Sequence, residues 1–126
     1  MIMLPKIKIL RDKKWINSFK EEGRHFCILT GAPMPDGAHI RHGWHATGLK
    51  PPDNRILPLA HSLHLEQHST GELKFWIKHF DEIPEELRMT AIEDVKNETD
   101  IEATDGHIDL MDIVIMVAEN YYEDKS

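Results

Sequence analysis

Cysteine is almost missing from this sequence. The single thiol, Cys27, excludes an internal disulfide and a zinc site built from paired cysteines, and it suits a reducing compartment. Long apolar runs are missing too. No window approaches the roughly 18 consecutive apolar residues that argue for a membrane-spanning helix. The nearest candidate, Leu110 to Ala118, is short and interrupted by Asp112. The opening MIMLPKIKIL has neither an apolar centre nor a small-residue cleavage site, so it does not read as a secretion signal. These absences give the expectation of a cytoplasmic protein with no membrane contact. Repeats and low-complexity segments are also absent, which leaves no repeat architecture to consider.

What is present suffices for one packed domain. At 126 residues with 40% apolar content, the chain is expected to form a single domain over 1–126. The net charge of −7 conceals an asymmetry: residues 1–60 carry ten Lys/Arg against five Asp/Glu, whereas residues 61–126 carry five against seventeen. Such a split suits either a basic face for a polyanion or a solvated acidic helical tail. Charge alone does not choose between them.

Histidine is the residue in excess. Eight of the nine lie between His25 and His79. His64 and His68 are spaced i, i+4, so a helix projects both imidazoles from one face, where they can share one cation. His39 sits well upstream, after a Pro-Asp-Gly turn.

In chain order, Lys6-Ile7-Lys8-Ile9 alternates like a short edge strand or an extended arm. Asp12 can cap a helix with Trp15, Ile16 and Phe19 on one face, ended by Gly23. Pro33, Pro35 and Asp36-Gly37 enforce a turn beside a strand at Ala38-His39-Ile40. Arg41 to Asn54 reads as a long loop, because Gly43, Gly48 and Pro51-Pro52 exclude regular structure. Arg55 to Leu59 reads as a second strand, which Pro58 confines to an edge or a strand end. A helix from Ala60 to His68 is broken by Ser69-Thr70-Gly71. Leu73, Trp76, Ile77 and Phe80 then form the stripe of another. Pro84 opens a helix with Leu87, Ala91, Ile92 and Val95 inward, and Thr99 to Gly106 is a polar loop. His107 to Glu123 forms the last helix, either the centre of the core or a dimer contact, so monomer and homodimer both stay open.

Taken together, Cys27, Gly31, Ala38-His39-Ile40, Lys50-Pro51-Pro52-Asp53-Asn54, Pro58-Leu59, His64, Glu66-Gln67-His68, Gly71 and Phe75-Trp76 resemble small phage and prophage HNH endonucleases. These are His-Me finger, or ββα-metal, enzymes, and the pattern is most similar to Ref-like recombination nucleases. The resemblance implies an α+β fold: a ββα-metal core over 25–80 with a long hairpin loop, an N-terminal helix, and a helical annex of two or more helices over 84–126. It implies His39 as general base, Asn54 as the asparagine that braces the hairpin, and His64 and His68 as metal ligands. Two departures stand out. Ala38 occupies a position where the family often has a further metal ligand, and Ala60 and Leu63 stand where many members carry a cysteine pair.

The chemistry such residues would serve is phosphodiester hydrolysis. An imidazole with an ordinary pKa of about 6.5 can take a proton from water at neutral pH. One divalent ion on His64 and His68 would neutralise charge at the phosphate. Two imidazoles favour Mn, Co, Ni or Zn in affinity, while availability makes Mg or Mn the expected working ion. Arg41, Lys50 and Arg55 would hold backbone phosphates of single- or double-stranded DNA. His61 is a third ligand, a phosphate contact or plain surface, and His45 is loop surface or a substrate contact. His25, His79 and His107 read as structural, and Cys27 as a small buried side chain. The expected function is a metal-dependent DNA endonuclease in phage recombination, with a recombination protein as partner. The alternatives are a non-cleaving nucleic-acid-binding module of the same fold, acting as a recombination or packaging accessory, and a protein–protein adaptor with incidental histidines.

Overall fold

Asp12 begins the first helix as its sequence promises. Its carboxylate accepts from the Trp15 amide at 3.0 Å, capping α1 (Lys13–Ser18). Trp15, Ser18 and Phe19 turn inward, but Ile16 is exposed, because so short a helix has a narrow contact face. The computed structural model describes residues 9–42, 50–98 and 108–126. The expected N-terminal alternation at Lys6 to Lys8, most of the long loop (including His45), the polar segment from Thr99 and His107 lie outside the described residues.

Two strands follow. β1 (Asp36–His39) pairs antiparallel with β2 (Ile56–Leu59), with Asp36 opposite Leu59, Gly37 opposite Pro58, Ala38 opposite Leu57 and His39 opposite Ile56. Pro58 fits because each strand of a two-stranded sheet has a free edge, and its carbonyl still accepts from the Ile28 amide at 2.8 Å. Alternation then divides the hairpin. Gly37 and Ile56 face the aromatic cluster of Trp15 and Phe19. Ala38, Leu57 and Leu59 face the larger core. A Cβ at Gly37 would lie 3.0 Å from the Phe19 ring and 3.2 Å from Ile56, so this strand approaches α1 only through a glycine.

α2 (His61–Thr70) leaves β2 directly, giving the order strand, strand, helix. Only Gln67 of α2 is buried, so this helix contributes polar groups more than packing. Its end is set by Gly71, at φ +91°, which starts α3 (Glu72–His79) after a sharp elbow. The expected stripe holds in part: Trp76 is buried and Phe80 packs against the core, but Leu73 and Ile77 do not turn inward. Phe75, Trp76 and His79 are buried, while Leu73 and Ile77 are exposed at 46% and 60%. A 3-10 turn over Phe80–Glu82 leads to α4 (Glu85–Glu98), whose Ala91 and Val95 are buried as the pattern predicts. α5 (Leu110–Lys125), capped by Asp109, packs on α4, α3 and β2.

Met111, Val114 and Val117 of α5 therefore share one core with Ala38, Leu57 and Trp76. Burying a side chain such as Met111 or Phe75 contributes about 1.5–3 kcal/mol before entropy is counted. α5 thus packs directly on β2 and α3, and α4 packs on α5. Among the described residues the protein is a small α+β molecule with five helices and one two-stranded antiparallel sheet. No helix among them is long and apolar enough to cross a membrane.

Candidate functional site

The helix register places the i, i+4 histidines as expected. His64 and His68 stack with ring centroids 4.8 Å apart, and their Nε2 atoms face each other at 3.1 Å. Behind His64 stands Asp36, at the start of β1. Its Oδ2 accepts from His64 Nδ1 at 3.0 Å and from His61 Nδ1 at 2.7 Å, while its Oδ1 accepts from Lys20 Nζ at 2.6 Å. Burial works against the charged form of Asp36, but the hydrogen bonds from Lys20, His61 and His64 outweigh it and hold the carboxyl well below the usual carboxylate range.

An ionised carboxylate only accepts, so neutral His64 carries its proton on Nδ1 and presents a lone pair at Nε2. The facing His68 Nε2 then donates to it. A divalent ion would take the place of that proton, with His68 in its Nδ1–H tautomer, so that two imidazole lone pairs meet it and one ring is fixed from behind by a carboxylate. Two nitrogens each about 2.0–2.1 Å from a zinc-sized ion lie about 2.8–3.4 Å apart at right-angle to tetrahedral bond angles, and the observed 3.1 Å falls in that span. The pair fits as a two-ligand site. Among the described residues no group of three or more His, Cys, Asp or Glu is arranged to hold an ion. His61 is bonded to Asp36 and its side chain is 73% exposed.

His39 belongs to a second cluster. Alternation sends its side chain to the Gly37 and Ile56 side of the hairpin, opposite Asp36 and Ala38. There its Nε2 donates to Asp53 Oδ1 at 3.1 Å. Asp53 is buried, its Oδ2 accepts from the Asp12 amide at 2.7 Å, and Arg11 Nη1 lies 3.6 Å from Oδ1. Arg11 also donates to the carbonyls of Lys50 and Pro51 at 2.8 and 2.6 Å. Burial pushes the His39 pKa down, and the Asp53 hydrogen bond and charge only partly restore it. In the neutral ring the proton sits on Nε2 against Asp53, and Nδ1 keeps its lone pair.

The structure therefore brings His64 and His68 together, adds Asp36, and sets His39 with Asp53 on the other side of the strand. Asn54 Oδ1 is buried and has no hydrogen-bond partner among the described residues; the bonds that tie this part of the hairpin run through Asp53. Arg41 and Lys50 are exposed and have no ion-pair partner among the described residues. Arg55 Nε is bonded to Glu119 of α5 at 3.2 Å, which ties β2 to the last helix. His25 and His79 are structural, as expected. His25 bridges Ser18 and Tyr121, and His79 bridges Glu66 and Glu82.

Sequence reasoning missed Asp36 and Asp53. Both sit in Pro-Asp contexts that read as turn chemistry, and only the strand register shows which histidine each one meets. Comparisons with family models, curated proteins and solved structures give no match.

Proposed function

We propose that the protein is a metal-dependent endonuclease of the HNH type, hydrolysing phosphodiester bonds of DNA. The observation that supports this most is the Nε2 pair of His64 and His68 at 3.1 Å, with Asp36 behind His64, on a helix that directly follows a two-strand hairpin. His64 and His68 would hold the ion, with Mg or Mn as working metal and Zn, Ni or Co as tighter ligands of the same pair. A bound divalent ion supplies charge neutralisation at the phosphate and at the departing oxygen. His39 would accept a proton from water at Nδ1, and Asp53 would hold the ring and stabilise the imidazolium that forms. Arg41 and Lys50 would grip backbone phosphates without reading sequence. Cytoplasmic action in phage recombination, with a recombination protein as partner, completes this reading.

A second reading is favoured by a specific observation: His39 leaves β1 opposite Asp36, and the intervening Ala38 is fully buried with no donor group. On that reading the protein binds nucleic acid through the same fold without cutting it.

Incubating supercoiled plasmid with the protein and Mn, with and without chelator, separates the two. The nuclease reading expects nicking that chelator abolishes and that His39→Ala and His68→Ala each reduce by on the order of 100-fold or more. Salt-sensitive binding without any nicking, or nicking that His39→Ala leaves intact, overturns it.

A further inference from the structure

We propose that Glu72 is a positioning residue, which fixes the end of the His39 strand against the helix that carries His64 and His68. The inference rests on the nuclease reading and adds to it the part that would set the spacing between its two halves. Glu72 opens α3, immediately after the Gly71 elbow, and is half-buried. A glutamate there commonly serves its own helix end. This one gives both oxygens to another segment. The Arg41 amide donates to Oε1 and Oε2, each at 2.8 Å, and the His42 amide donates to Oε2 at 2.6 Å. Those two amides follow β1 by only two and three positions after His39.

The same carboxylate also reaches α2. Gln67, buried on α2 and adjacent to His68, donates from Nε2 to Glu72 Oε1 at 3.0 Å and approaches the His39 carbonyl at 3.5 Å. One carboxylate thereby gathers three donors from two elements, the strand exit and the helix. Hydrogen bonds to an ionised acceptor are shorter and stronger than neutral ones. α2 packs one half-buried apolar side chain, Leu63, against the core, and Gln67 is its only buried residue. Along β1 the helix is held by this polar link together with the Asp36 bonds at its other end, while Glu66 is tied to His79 and Lys78 of α3. Removing Glu72 frees two strand-exit amides and the Gln67 amide together, so His39 can shift relative to the histidine pair without either being altered.

The test uses the full isotope-labelled chain with zinc as metal probe and supercoiled plasmid with Mn as substrate, comparing wild type, Glu72→Ala and Glu72→Gln. The proposal expects Glu72→Ala to move the Arg41 and His42 amide signals, remove their exchange protection and shift the His39 imidazole signal. Zinc affinity at His64 and His68 should stay within about twofold, because Glu72 is hydrogen-bonded to neither ligand nor to Asp36. Nicking should lose on the order of 10–100-fold in kcat with little change in KM. Glu72→Gln, which keeps the side-chain shape and one acceptor oxygen, should recover part of both the signals and the rate. Unmoved Arg41, His42 and His39 signals overturn the proposal, as does a zinc affinity that falls in step with nicking. Should Glu72→Ala fail to fold, Glu72→Gln decides by the same amide and imidazole signals. Absence of nicking by wild type overturns the nuclease reading alone, since those signals still answer for Glu72.

Discussion

Two aspartates divide the histidines between them, and each sets the proton of its partner. Asp36 holds the Nδ1 proton of His64 and so aims a lone pair at His68. Replacing it with asparagine should weaken zinc binding by about 10–100-fold, as loss of a carboxylate behind a ligating histidine commonly does. Titration calorimetry measures this directly, and unchanged affinity would remove Asp36 from the site. Asp53 acts on His39. Burial lowers the His39 pKa and Asp53 works in the opposite direction. On the nuclease reading proposed above, a base must be deprotonated to act, so the rising acid limb of the nicking profile should have its midpoint below the ordinary value of about 6.5. Asp53→Asn should move that midpoint to still lower pH. A move upward would contradict the pairing.

At the level of elements, the α2–α3 elbow decides how the chain turns away from the histidine pair. Gly71 adopts φ +91° and ψ 146°, a region open to glycine and strained for any residue with a Cβ. Nothing lies within 4 Å of the Cβ position, so the cost of Gly71→Ala is conformational alone. It should destabilise the fold by about 1–3 kcal/mol, read as a lower urea midpoint at unchanged slope. The elbow also explains what the sequence did and did not disclose. The second strand, with Pro58 at an edge, and the start of α2 were legible from local signals. The α1 cap at Asp12 was legible for the same reason. Asp36-Gly37, which read as a turn, belong to β1, and Ser69-Thr70, which read as a break, stay in α2, which ends only at Gly71. The face of α3 was legible only in part. Of the 3.6-period stripe Leu73, Trp76, Ile77 and Phe80, the second and last do meet the core, but the face is rotated so that Phe75 and His79 are buried where Leu73 and Ile77 were expected. Asp36 and Asp53 were illegible because their roles depend on strand register and on an approach from α1, neither of which has a local sequence mark.

Across the whole molecule, α5 is the piece that makes the others one body. It packs against α4, α3 and β2, and Met111 and Val114 are fully buried. Met111→Ala should cost about 2–5 kcal/mol. Because hairpin and helices share that core, urea unfolding at neutral pH, followed by far-ultraviolet circular dichroism and tryptophan fluorescence, should show one coincident transition. Two separated transitions would show that residues 84–126 fold as an independent unit.

The far end of α5 has a further consequence. Ser18 Oγ donates to the Trp15 carbonyl and so accepts from His25 Nε2, leaving His25 Nδ1 to take the Tyr121 hydroxyl proton at 2.6 Å. Only an uncharged ring can do both. Burial pushes the His25 pKa down and pushes that of Tyr121 up to about 12. This latch is therefore intact above the unfolded imidazole value of about 6.5 and loosens as acidity increases through the lower folded value. Since Trp15 lies against both Tyr121 and Tyr122, acid should release Tyr121 from His25 while Tyr122 keeps its hydroxyl bond to Asp12 at 2.8 Å, reddening indole emission while helical ellipticity persists. The protein would then carry its own acid gauge at the seam where the early and late parts of the chain meet.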